Sequence, residues 1–182
     1  PLDRKEYRIA LLGECMIELK GQMFGTMQQN FGGDTLNTAV YLAHLCSDCN
    51  IQVCYATRLG MDAYSDAMIK AWGKNGIDTR LVQREQGRMP GLYTIQVDET
   101  GERTFYYWRD SSAARHYFDE EQSLLEEYLD SLDALYFSGI SLAVLSDEGR
   151  KRLLACAKKL RSSSGKVFFD NNYRTRLWSG GC

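Results

Sequence analysis

The sequence predicts an α/β fold: a mainly parallel sheet covered by helices on both faces, with a small β lid attached. Three observations carry that prediction. Short apolar runs such as Ile9-Ala10-Leu11-Leu12 and Ala134-Leu135-Tyr136-Phe137 lack polar alternation, which is the pattern of strands buried on both sides of a parallel sheet. Helical patterns alternate with these runs, as βαβ units require. Residues 91–109 then switch to a period of two around a Gly-bearing loop, which marks a hairpin set apart from the parallel strands.

Taken in order, residues 8–19 are mostly apolar until Gly13 and read as a strand emerging at Gly13-Glu14. Residues 16–31 read as strand, turn and strand. Next, Phe31-Gly32-Gly33-Asp34-Thr35-Leu36-Asn37 sets two glycines, an acid and an amide ahead of a helix at 35–45, anchored by Ala39, Val40, Leu42, Ala43 and Leu45. Paired glycines permit positive φ and close approach to a ligand, and Asp34 and Asn37 add polar groups one helical turn apart. The alternative is a tight connection in which Asp34 is only an N-cap.

A strand at 51–57 precedes a helix at about 63–74, capped by Asp62 and stopped by Asn75-Gly76. Strands at 92–97 and 103–109 flank the loop at 98–101. On the second of them Phe105, Tyr107 and Arg109 share one face and Tyr106 and Trp108 the other, so both faces need cover from a ligand crevice, another strand or a partner chain. An acidic amphipathic helix is expected over 118–132, a buried strand over 134–139, a Ser-capped helix over 146–161 and a last strand over 166–170.

Of the 182 residues, 44% are apolar and 25% charged, with a net charge of −2, which gives no electrostatic case for nucleic acid or an anionic membrane. A small-molecule ligand is expected instead. No apolar run reaches the roughly 18–20 residues of a membrane span and no signal-peptide core follows the N-terminus, so the chain reads as cytoplasmic. Cys15, Cys54 and Cys156 lie in apolar patterns where reduced cysteine packs as a small hydrophobe. His44, Cys46, Cys49 and Cys54 lack a second paired-cysteine motif, and no metal site is expected from them.

Open α/β sheets bind ligands beyond the carboxyl ends of their strands. Three stretches fall there: residues 32–37, Ser138-Gly139, and Asp170-Asn171-Asn172-Tyr173-Arg174. Tyr93, Tyr107 and Arg109 would join them if the hairpin folds over the crevice and excludes water. The hydroxyls of a sugar suit Asp34 and Asn37, and a sugar acid's carboxylate suits the planar fork of Arg109. Glu14 and Glu18 read equally as sugar contacts or as a polar strand end. For Tyr107 and Arg109 the structural alternative is a solvated edge strand with a cation–aromatic contact, and for Arg174 an ion pair with Asp170.

Preceded by Ile9-Ala10-Leu11-Leu12-Gly13-Glu14-Cys15-Met16, the segment Gly32-Gly33-Asp34-Thr35-Leu36-Asn37-Thr38-Ala39 resembles the N-terminal signature of the ribokinase-like, PfkB-type carbohydrate kinases. Pro90-Gly91-Leu92-Tyr93, Gly101 to Arg109 and Phe169-Asp170-Asn171-Asn172-Tyr173-Arg174 resemble the branch acting on 2-keto-3-deoxygluconate. The resemblance runs from about Arg8 to Trp178. It implies a ribokinase-like fold and ATP-dependent phosphorylation of 2-keto-3-deoxygluconate to its 6-phosphate, with Mg²⁺ accompanying ATP. It assigns sugar binding to Gly33, Asp34, Thr35, Leu36, Asn37, Tyr93, Tyr107, Arg109 and Arg174, and places Asn172, Tyr173 and Arg174 near the nucleotide phosphates.

The family's Asp-Thr-x-Gly-Ala-Gly-Asp type segment, which supplies the catalytic base, has no counterpart in these residues, and no Gly-x-x-x-x-Gly-Lys-Ser/Thr loop replaces it. The resemblance therefore implies the N-terminal, sugar-side part of one such domain over 1–182, with lid strands at about 14–31 and 91–109 and the base expected beyond Cys182. A homo-oligomer formed through the lid sheet is a further expectation. The alternatives are a kinase for a neutral sugar such as fructose or ribose, and an inactive sugar-acid-binding or dimerising module.

Overall fold

The computed structural model describes residues 6–178, so Cys182 lies outside them. The chain opens with β1 (Tyr7–Leu12), β2 (Met16–Gly21) and β3 (Met27–Gly32), followed by α1 (Asp34–Leu45), β4 (Ile51–Gly60), α2 (Ala63–Lys74), β5 (Ile77–Asp78) and β6 (Val82–Glu85). Then come β7 (Leu92–Val97), β8 (Arg103–Trp108), α3 (Leu124–Tyr128), β9 (Ala134–Ser138), α4 (Gly139–Val144), α5 (Asp147–Ser162), β10 (Lys166–Asp170) and α6 (Thr175–Trp178).

The larger sheet has the order β10-β9-β1-β4-β5, with β6 also pairing β4, and all of its pairings are parallel. Period-two geometry sends alternate residues of β1 to opposite faces, and both faces are covered. Ile9 and Leu11, with Val53 and Tyr55, meet Leu36 and Ala39 of α1 and Met68 and Trp72 of α2. On the other side Ala10 and Leu12, with Cys54, Ala56, Leu135 and Phe137, meet Leu153, Cys156 and Leu160 of α5. Trp72 is fully buried, its ring edge-on to Tyr55 at 5.1 Å. Burying each such large side chain contributes about 1.5–3 kcal/mol. The expected parallel sheet with helices on both faces is present.

A smaller sheet, ordered β3-β2-β7-β8, stands apart. The two hairpins, β2–β3 and β7–β8, are antiparallel, and they join through parallel β2 and β7. Its face with Ile17, Leu19, Phe31 and Leu92 packs on the α1–α2 core. The outer strand β8 is exposed along its whole length, including Tyr106 and Trp108. Burial pushes the Cys54 thiol up to about 12 and Cys156 to about 11, so both are inert packing groups.

One expected element is corrected. Residues 118–132 do not form a single helix: α3 covers five residues and is followed by a 3₁₀ turn at Leu129–Ser131. A capping box starts the helix at Ser123, whose side chain bonds the Glu126 N–H while Glu126 bonds back. The preceding turn is held open by Arg152 of α5, which donates to the carbonyls of Phe118, Glu120 (2.8 Å) and Glu121 (3.2 Å). Carbonyls taken up by a guanidinium in this way need no helix to satisfy them.

Candidate functional site

The glycine pair ahead of α1 is built for contact rather than for unusual torsion. Gly33 has φ 179° and ψ 146°, extended values open to any residue, and Gly32 is not in the left-handed region either. The expectation of positive φ is therefore corrected. What glycine supplies is space: a Cβ on Gly33 would lie 2.1 Å from the Glu14 carbonyl oxygen, and one on Gly32 would lie 2.5 Å from the Tyr93 hydroxyl. Gly33 is also the N-cap of α1, without a side-chain bond, so Asp34 is not the cap.

Released from capping, Asp34 gathers the strand ends. Its Oδ2 accepts from Ser138 Oγ at 2.6 Å and from Asn172 Nδ2 at 2.9 Å. Ser138 ends β9 and caps α4 in a capping box with Ser141, whose hydroxyl donates to the Leu12 carbonyl at 2.7 Å. The start of α1 and the ends of β1, β9 and β10 thus meet at one point, beyond the carboxyl ends of parallel strands. Sequence reasoning missed α4, although Ser138-x-x-Ser141 is its capping signal.

Thr35 and Leu36 turn their side chains away from this point. Thr35 is fully buried with its hydroxyl 3.1 Å from the Tyr55 hydroxyl, and a Cβ on Gly13 would collide with it; Leu36 lies in the core. Only the first-turn amides of α1 are left to them for a ligand. Asn37 is exposed on the next turn.

The smaller sheet brings the second group together. The Tyr93 hydroxyl donates to Glu18, and burial, followed by that bond and the Glu18 charge, drives the phenol well above its ordinary range, so it remains a donor. Tyr107 lies beside Tyr93 at 5.7 Å between ring centroids and stacks on Phe105 at 6.3 Å. The Arg109 guanidinium sits 5.7 Å over the Tyr107 ring. The cation–aromatic contact is therefore real, but Arg109 is not solvated: it is 9% exposed and paired with a Glu14 side chain that is 1% exposed. Cys15, buried beside Glu14, has its thiol raised first by burial and then by the Glu14 charge.

The third stretch divides. Asn172 reaches Asp34, whereas Tyr173 stacks on Trp178 at 6.3 Å and Arg174 is exposed. Among the described residues Arg174 makes no ion pair with Asp170, which instead accepts from the Asn172 N–H at 3.2 Å. No three His, Cys, Asp or Glu side chains gather to hold a metal ion among the described residues, and no helix there is long and apolar enough to cross a membrane.

Comparison with known proteins places this geometry. The 2-dehydro-3-deoxygluconokinase of Escherichia coli K12 is 50% identical over 173 residues, 94% of this chain and 56% of that protein. The enzyme of the same name from Dickeya dadantii is 48% identical over 93% of this chain and 55% of its own length. The chain thus spans about half the length of the curated relatives it matches. Among solved structures, 2-dehydro-3-deoxygluconokinase from Thermotoga maritima superposes with a TM-score of 0.80 at 25% identity, over 94% of this chain and 54% of that one. The family model for pfkB family carbohydrate kinases matches residues 7–181. A match over nearly the whole chain, on a parallel sheet whose strand ends converge on Asp34, shows that the chain belongs to the pfkB family of carbohydrate kinases.

Proposed function

We infer that this chain forms the sugar-acid-binding side of an ATP-dependent kinase that phosphorylates 2-keto-3-deoxygluconate (2-dehydro-3-deoxygluconate) on its primary hydroxyl to give the 6-phosphate. The observation that carries the reading is the pairing of two unlike groups around the start of α1. Asp34, Ser138 and Asn172 form a hydrogen-bonded polar cluster whose chemistry suits a sugar's hydroxyls, and Arg109 supplies a shielded guanidinium beside Tyr107. The names of the relatives with 45–50% identity support the same substrate.

In this reading Gly33, Asp34 and Asn37 take the sugar's hydroxyls, with the amides of Thr35 and Leu36 behind them. Tyr93 and Tyr107 line the crevice wall, and the smaller sheet serves as its lid. Arg109 takes the carboxylate and Arg174 reaches the sugar from the loop after β10. ATP with its Mg²⁺ would supply the phosphoryl group, and Asn172, Tyr173 and Arg174 would lie toward its phosphates. The chain's own contribution is to hold the sugar and exclude water; no catalytic base is assigned among its residues.

A kinase for a neutral sugar is the second reading, favoured by fructokinase from Salmonella typhimurium at 25% identity. A sugar-acid-binding module without turnover is the third. Titration calorimetry of the chain with 2-keto-3-deoxygluconate, fructose and ribose separates the first two. Saturable heat with the sugar acid and none with the neutral sugars is the expected result, and the reverse order overturns it. A coupled ADP-release assay on the enzyme separates the first from the third.

A further inference from the structure

We propose that Glu14 is the positioning residue for Arg109, fixing from below the guanidinium that meets the ligand's carboxylate. The proposal rests on the reading of Arg109 as that carboxylate's partner. Glu14 stands in the three-residue connection between β1 and β2, and Arg109 directly follows β8, the outermost strand of the smaller sheet. Their ion pair closes across 95 residues of chain and anchors the guanidinium by charge.

The pair is built in rather than incidental. A Cβ on Gly91 would lie 2.9 Å from Glu14 Oε1 and 3.1 Å from Arg109 Cβ, so both side chains occupy a slot that exists because residue 91 has none. Beneath it, the Glu14 carbonyl oxygen contacts Gly33 at the start of α1. One residue therefore touches the hydroxyl-binding turn through its backbone and the carboxylate-binding arginine through its side chain.

The pair is also incompletely satisfied. Glu14 Oε1 and Arg109 Nε are buried and have no hydrogen-bond partner. A buried ion pair is a poor source of stability because desolvation offsets its attraction, and one that leaves a donor and an acceptor open is poorer still. Those properties fit a group held for a polar ligand: Glu14 engages one nitrogen of the guanidinium and restricts it, which leaves its remaining N–H groups for an incoming oxygen. Without Glu14, the contact with the Tyr107 ring is what remains to hold the guanidinium, which is then free to swing to solvent.

Arginine-selective labelling with phenylglyoxal, read residue by residue by mass spectrometry, tests this without needing a substrate. In Glu14→Ala, Arg109 is expected to label about tenfold faster than in the wild-type chain, while Arg58, buried elsewhere at 3% exposure, labels at an unchanged rate. Glu14→Asp keeps the charge but shortens its reach, gives an intermediate rate, and carries the test if the alanine variant does not fold. The dissociation constant for 2-keto-3-deoxygluconate should rise in the same order, by tenfold or more for alanine. Equal Arg109 labelling in wild type and variants overturns the proposal, as does acceleration at Arg58 to the same degree. A wild-type chain that ignores the sugar acid while the labelling difference holds overturns the substrate reading and leaves the role of Glu14 standing.

Discussion

The side-chain amide of Asn172 donates to the carboxylate of Asp34 at 2.9 Å, joining the loop after β10 to the first residue of α1 across 138 positions of chain. Ser138 donates to the same oxygen. Two donors on Oδ2 fix the carboxylate's orientation and hold α1 against the ends of β9 and β10.

Asp34→Ala is therefore expected to weaken sugar-acid binding by roughly 10- to 100-fold, since a hydrogen bond to a charged group is worth about 1.5–3 kcal/mol. Asp34→Asn, of the same shape, should lose less. Calorimetric titration checks both, and an unchanged affinity in Asp34→Ala removes the residue from the site.

Arg109→Ala carries two effects. Loss of the carboxylate partner should lower affinity by roughly 30- to 1000-fold, about 2–4 kcal/mol. The substitution also strands the buried Glu14 carboxylate, which should cost about 3–5 kcal/mol of stability. The double variant Arg109→Met, Glu14→Gln removes both charges and should recover most of the stability but none of the affinity. Urea unfolding beside calorimetry separates the two effects; a double variant as unstable as Arg109→Ala would show that the stranded charge was not the cause.

Glycine positions give a pair of opposite expectations. A methyl at Gly33 meets the Glu14 carbonyl oxygen at 2.1 Å, a backbone atom with no flexible side-chain end to give way, so Gly33→Ala should cost about 1–3 kcal/mol or more. Gly73 lies inside α2 near its end, and a methyl added there would have nothing within 4 Å, so Gly73→Ala should stabilise by about 0.5–1 kcal/mol. Denaturation midpoints decide both signs.

The outer strand of the smaller sheet leaves Tyr106 at 46% and Trp108 at 61% exposure on one face, flanking an edge that is unpaired among the described residues. Such a surface favours a second copy, and a homodimer through this sheet is expected. Tyr106→Ser with Trp108→Ser should shift sedimentation toward monomer. A wild-type chain that sediments as a monomer at all concentrations rules the dimer out.

Local signals explain how far the sequence can be read. Asp62 is legible as the α2 cap because the cap bonds its own first turn, Ser65 N–H at 3.0 Å, and β1 is legible because both of its faces are apolar. What escapes depends on partners distant in the chain. The helix expected over 118–132 is cut short by Arg152, whose reach from α5 no local pattern announces. Glu14 is ambiguous in the sequence because its partner is 95 residues away. The glycine pair stands out in the sequence for its torsional freedom, whereas the packing of Glu14 and Tyr93 is what requires it.

Acid sensitivity should trace in part to Glu126. Burial alone pushes its carboxyl up, but the donors of Arg152, then the N–H and hydroxyl of Ser123, outweigh burial and hold the group below its ordinary value of 4.5. On acidification the unfolded chain takes up this proton first, so stability falls as pH drops. The contribution is intact well above pH 4.5 and is lost below it, through the lowered pKa of the folded state. Glu126→Gln removes the titration, and the difference in urea midpoint between wild type and variant should be constant from about pH 6 to 7 and shrink steadily below about pH 4.5. Glu85 and Asp62 are lowered too and titrate in both proteins, so they cancel in that difference. A gap that keeps its size into acid would mean that the Arg152–Glu126 contact contributes through shape and hydrogen bonding alone.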